Sequence, residues 1–158
     1  MKTIDLEIAL LIYFNFTRSL IVTNVTTTSG LVMFEADMIV LSQNGYAHGL
    51  ELKVSKSDLR AEFKKSQYGG RGVEYYYKRF KYFSFAMPIE LKEEALKLVP
   101  EIFGLYFVDG SSVTRYRNPK FLNNYKWSDK ERYRLARLGA MRIFSLKNNI
   151  STLLHNRK

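Results

Sequence analysis

Four residues of this chain are of types that handle phosphate chemistry: Glu35, Asp37, Glu51 and Lys53. They flank Ser42-Gln43-Asn44-Gly45, a hairpin signal, so whether they meet depends on strand register. A two-residue loop at Asn44 and Gly45 sets Asp37 opposite Leu52, on the other face from Glu51. A three-residue loop, Gln43-Asn44-Gly45 with Gly45 in the left-handed bulge position, sets Asp37 opposite Glu51 and Glu35 opposite Lys53. Only this second register leaves a wholly apolar opposite face, Phe34, Ala36, Met38 and Val40 against Leu50, Leu52 and Val54. A one-residue slip turns every side chain over, so burial selects the three-residue loop.

Opposed Cβ atoms lie roughly 5 Å apart, close enough for two carboxylates to reach one cation at ~2.1 Å. Without a cation they repel, and one pKa rises. Ile39 and Leu41 share their face, which makes unpaired charge there costly. Lys53, two residues past Glu51, then reaches whatever oxygen the cation holds. A divalent cation polarises a phosphate and lowers the pKa of an attacking water, while the lysine orients or deprotonates that water or balances charge on phosphorus. The chemistry is phosphodiester hydrolysis. The competing reading of the same residues is a pair of cross-strand salt bridges.

Composition narrows the alternatives. The chain has 158 residues, no cysteine and two histidines, His48 and His155. Disulfides, thiolate metal sites and cysteine nucleophiles are excluded, and an all-oxygen site for Mg²⁺ or Mn²⁺ is the kind this composition can build. The absence of cysteine fits a reducing, cytoplasmic setting. The net charge is +10, and residues 111–158 hold twelve Lys and Arg against only Asp129 and Glu131, so the whole excess lies there. That asymmetry points to a polyanion, nucleic acid ahead of an anionic membrane surface. The apolar run Ile8 to Phe14 is too short to span a bilayer, which needs roughly 20 residues.

The elements needed to position these residues can be read from periodicity and punctuation. Ile4 to about Leu20 reads as a helix with Ile8, Leu11, Ile12 and Asn15 on one side, and Leu20–Val25 as a strand. Leu31–Leu41 and Tyr46–Val54 form the hairpin, and Ser55–Tyr68 a helix capped at Ser55 or Ser57. After Gly69-Gly70-Arg71-Gly72 come a strand at Tyr82–Met87, a helix at Leu91–Leu98, and strands at Gly104–Val108 and Ser112–Arg117. Ser128 and Glu131 form a capping box opening a long helix to about Asn148 and beyond. The expectation is a single domain over residues 1–158: a mixed α/β sheet flanked by helices, core about 4–117, with a basic C-terminal helix about 128–155.

Glu35-Ala36-Asp37 followed by Glu51-Leu52-Lys53, in a helix–strand–hairpin–helix–strand order, resembles the PD-(D/E)XK nuclease superfamily, with its restriction-endonuclease-like core. FEADMIVLSQNGYAHGLELKVSKSDLRAEFKK is similar to small nucleases akin to MmcB-type DNA-repair proteins, and YFSFAMP would be their strand ending in Pro. The resemblance covers about residues 4–108, and Ala36 stands where the motif's name has Pro. It implies that Asp37 and Glu51 bind Mg²⁺ or Mn²⁺, with Glu7 or Glu35 completing the site and Leu52 a further ligand, and that Lys53 is catalytic. It implies a DNA-cleaving endonuclease of repair, recombination or phage DNA processing, and by analogy a homodimer. A structure-selective Holliday-junction-type resolvase and an inactive nucleic-acid-binding module on the same fold are the alternatives, and RNA stays open as the substrate.

Candidate nucleic-acid contacts follow from charge patterning. Lys56, Arg60 and Lys64 recur at i, i+4 and i+8 along one helix face, beside the catalytic candidates. Arg71, Lys78 and Arg79 sit in GGRGVEYYYKRFK, whose aromatic residues suit either base stacking or the core. Lys130, Arg134 and Arg137 lie within about 60° of one another on the last helix. Asp58 and Ser55 read as helix capping, and His48 as a structural residue facing away from the acidic cluster.

Overall fold

The computed structural model describes residues 1–64, 75 and 77–155. Six strands form one mixed sheet in chain order: β1 (Leu20–Val25), β2 (Ala36–Leu41), β3 (Ala47–Leu52), β4 (Tyr82–Pro88), β5 (Gly104–Asp109) and β6 (Ser112–Arg117). The β3–β4 and β4–β5 pairs are parallel and the rest antiparallel. Helix α1 (Thr3–Tyr13) covers one face, where Leu6, Ala9 and Leu10 pack on Met38, Val40, Leu50, Leu52, Ala86 and Tyr106. The other face carries α2 (Lys56–Glu62), α3 (Lys92–Leu98) and the first half of α4 (Asp129–His155). The mixed α/β architecture with a C-terminal helix is the one expected.

The hairpin adopts the three-residue register. Met38 pairs with Leu50 and Leu41 with Ala47, and Gly45 takes φ +83°, which only a residue without Cβ adopts readily. The turn is clamped by Ser42, whose Oγ accepts from the Tyr46 amide at 3.1 Å and whose carbonyl accepts from the Gly45 amide at 2.9 Å. The parallel crossover through α2 brings β4 in so close that a Cβ on Gly49 would lie 2.5 Å from the Phe83 ring. Glycine is required there for closeness.

Three local expectations need correction. Helix α1 ends at Tyr13 and not near Leu20, because Asn15 turns left-handed at φ +57° and its carbonyl accepts from the Arg18 and Ser19 amides. Its buried face is Leu6, Ala9 and Leu10, whereas Ile8 and Ile12 are half or more exposed. Phe34 and Ala36 belong with Ile39 in the core under α2–α4, not with Met38, because strand alternation changes phase before Met38. The same change occurs on β1, where Val22 and Val25 face one core across left-handed Asn24. Ser55 caps α2, accepting from the Asp58 amide at 3.1 Å, and α4 opens on the expected capping box, the Ser128 amide donating to Glu131 Oε2 at 2.8 Å.

Candidate active site

The site forms where β2 and β3 part. The ladder between them runs from Leu41–Ala47 to Met38–Leu50, and the next β3 amide facing β2 is held by a side chain: Leu52 N–H donates to Asp37 Oδ2 at 2.7 Å. On the other side of β3 the ladder continues, Lys53 N–H donating to the Ala86 carbonyl at 3.0 Å. Odd-numbered residues of β3 therefore bond toward β4, which leaves the main-chain groups of Leu52 facing Asp37. Glu51 is buried on the Phe83–Phe85 face, beside α2.

Lys53 is the centre of the charge network. Its side chain is 5% exposed, and Nζ lies 2.7 Å from Glu51 Oε1, 2.8 Å from Glu62 Oε2 and 3.7 Å from Asp58 Oδ1. Burial alone would lower its pKa, but the Glu51 and Glu62 carboxylates outweigh burial and hold it above the usual lysine range. This setting favours the charged form of Lys53.

The carboxylates are pushed the other way. Burial, then the nearby Asp37 charge, raise Glu51 to about 8, against the opposing pull of Lys53. Asp37 is raised mainly by burial, with Glu62 and Asp58 adding, while the Leu52 amide and Lys53 draw it down. Glu7 on α1 is raised by burial and by Asp37, and lowered by a hydrogen bond from Asn24 and by Arg142. Asp37, Glu51 and Glu7 therefore share one electrostatic neighbourhood although they come from three elements. Each gains from a nearby cation.

Two members of this network were missed in sequence. Glu62, 1% exposed, follows Leu59 by three residues, so both point from α2 toward the sheet. A charged residue in phase with a buried leucine was the available signal. Arg142 comes from α4, where its Nη2 donates to the Asn24 carbonyl, and its buried Nη1 has no hydrogen-bond partner among the described residues. No sequence spacing announces a contact across 118 positions. Glu35, by contrast, lies exposed just before β2, and Lys53 pairs with Glu51, Glu62 and Asp58 in place of the expected Glu35. Among the described residues no three Asp, Glu or His side chains form a metal-holding group by themselves. A cation here would need main-chain or water oxygen beside Asp37 and Glu51.

The basic candidates divide. Lys56, Lys64, Lys78, Lys130 and Arg137 are exposed. Arg60 is exposed and pairs with Glu94 at 2.6 Å, and Arg134 donates to the Ser29 carbonyl at 2.6 Å. Arg79 turns inward, bonded to Tyr125 and Glu131, and serves to seat α4. Arg71 falls outside the described residues. Tyr77 and Phe80 are buried, so that part of the aromatic run builds core. His48 lies on the α1 face, its Nε2 2.8 Å from Ser84 Oγ, and burial, then Arg115, lower its pKa to about 3. It stays neutral and takes no part in the acidic network.

No protein-family model matches the chain, and no curated protein is similar to it. A solved structure, the SPO1766 protein of unknown function from Silicibacter pomeroyi, is similar in fold, with a TM-score of 0.61 at 18% identity over 93% of this chain and 89% of that one. At that identity the likeness is one of architecture alone. Among the described residues no helix is long and apolar enough to cross a membrane.

Proposed function

We propose that this chain is a divalent-metal-dependent nuclease that hydrolyses phosphodiester bonds in DNA. The observation that carries the reading is the gathering of Asp37 and Glu51 with Lys53 where β2 and β3 part, Glu51 buried, Asp37 half-buried and both carboxylates driven toward protonation. Their donors are all oxygen, which suits Mg²⁺ or Mn²⁺, and the raised pKa values are the condition a cation relieves. Asp37, Glu51 and the Leu52 carbonyl would hold the ion, with Glu7 at the rim. The ion supplies Lewis acidity and a water of lowered pKa.

The chain's own groups do the rest. Asp37 is oriented by the Leu52 amide, so one oxygen is fixed and the other is presented. Lys53 keeps its charge and stabilises the negative charge that builds on the phosphate oxygens. Arg142, with a buried donor that lacks a partner among the described residues, is a natural second cation for a phosphate oxygen. Lys56, Lys64, Lys130 and Arg137 are exposed and would add phosphate-backbone contacts.

The test is a panel of linear, circular, four-way-junction DNA and RNA substrates incubated with Mn²⁺, wild type against Glu51→Gln. Cleavage by the wild type alone, stopped by EDTA, supports the reading, and symmetric cuts confined to the junction define a resolvase. Salt-sensitive, metal-independent binding without cleavage of any substrate would assign a binding module instead.

A further inference from the structure

Among the described residues, helix α4 packs on the domain only through its first half. Leu135 is buried, Leu138 packs on the same core, and a Cβ on Gly139 would sit 3.2 Å from Val22. Among the described residues Arg142 makes the last hydrogen bond from α4 to the sheet, yet the helix continues to His155. Along that continuation Ile143, Leu146, Ile150 and Leu153 are 58%, 61%, 56% and 63% exposed. These four follow one another at spacings of three, four and three, and fall within about 80° of helix surface at 100° per residue.

We propose that this half of α4 pairs, in parallel, with the same segment of a second copy of the chain. The spacing is that of a heptad seam with Ile143 and Ile150 at the first core position and Leu146 and Leu153 at the second. β-Branched residues at the first and leucine at the second favour two parallel strands. With Leu154 on the flank, the seam presents on the order of 500 Å² per copy, ~1,000 Å² in total, the lower limit for a specific association. The opposite face holds Ser145, Asn148 and Thr152 beside Phe144 and His155, with no lysine or arginine, unlike the Lys/Arg-rich polar face of a helix that lies on lipid. A second copy is therefore the occupant that fits.

The test uses the full chain, and the proposal does not depend on catalysis. Sedimentation at micromolar concentration should give a dimer for the wild type and a monomer for Ile150→Glu combined with Leu153→Glu. Both positions are exposed in the single chain, so thermal unfolding of the double variant should be unchanged. Phe144→Ser, off the seam, should stay dimeric, and Ile150→Cys in this cysteine-free chain should form a disulfide-linked dimer on mild oxidation. A monomeric wild type, a dimer indifferent to the glutamates, or a monomer that co-sediments with phosphatidylglycerol vesicles would overturn the proposal.

Discussion

At the scale of residues, the network around Lys53 couples any catalytic role to stability. Glu51 and Glu62 are both buried against its ammonium, so Lys53→Ala removes one buried cation from both. Breaking a buried pair by removing one partner costs about 3–5 kcal/mol, so this variant should unfold at markedly lower urea. Loss of activity in Lys53→Ala would thus need a folded control, and Asp37→Asn, which keeps an oxygen for the Leu52 amide, is the cleaner probe. The pH dependence follows from Glu51. Its folded pKa, about 8, lies above the unfolded value, so its contribution to stability is complete below the unfolded pKa and is lost as pH rises through the folded one. A metal bound as proposed must displace that proton, so Mn²⁺ affinity should tighten as pH approaches about 8. Calorimetric titration in buffers of different ionisation enthalpy should register proton release, and a pH-independent affinity with no release would contradict the assignment.

At the scale of elements, the hairpin and the α2 crossover hold the site together. Gly49→Ala pushes a methyl into the Phe83 ring and should cost about 1–3 kcal/mol, read as a fall in melting temperature. Ser55→Ala, which removes the α2 cap, should cost about 1 kcal/mol and loosen Glu62 with it. Much of this was legible in sequence because it depends on local rules. The register followed from requiring one apolar face, and the caps from Ser55 and from Ser128 with Glu131. Glu35 was misplaced because the alternation was extended past the point where the strands part, and nothing local signals the phase change at Asn24 and Asp37. The side of α1 that carries Ile8 and Ile12 stays exposed, and a helix with apolar residues on several sides does not say which side the sheet will cover. Glu62 and Arg142 entered the site through tertiary packing.

At the scale of the whole molecule, the +10 excess is not all free surface charge. Part of it is spent internally: Arg117 donates to the Val99, Pro100 and Phe103 carbonyls beyond α3, and Arg132, Arg134 and Arg142 tie α4 to the Gln43, Ser29 and Asn24 carbonyls. Lys130 and Arg137 remain exposed on α4. If the chain binds nucleic acid as proposed, Lys130→Ala and Arg137→Ala should each weaken binding to every sequence alike and reduce the slope of log affinity against log salt by about 1. Arg134→Ala should chiefly lower thermal stability, by releasing the Ser29 loop.

The most direct measurement is nicking of supercoiled plasmid with Mn²⁺ by the wild type and by Asp37→Asn, both shown folded by circular dichroism. The proposed function predicts EDTA-sensitive nicking by the wild type and none by Asp37→Asn, which still binds DNA. Equal nicking by the two proteins, or none by either, would contradict it.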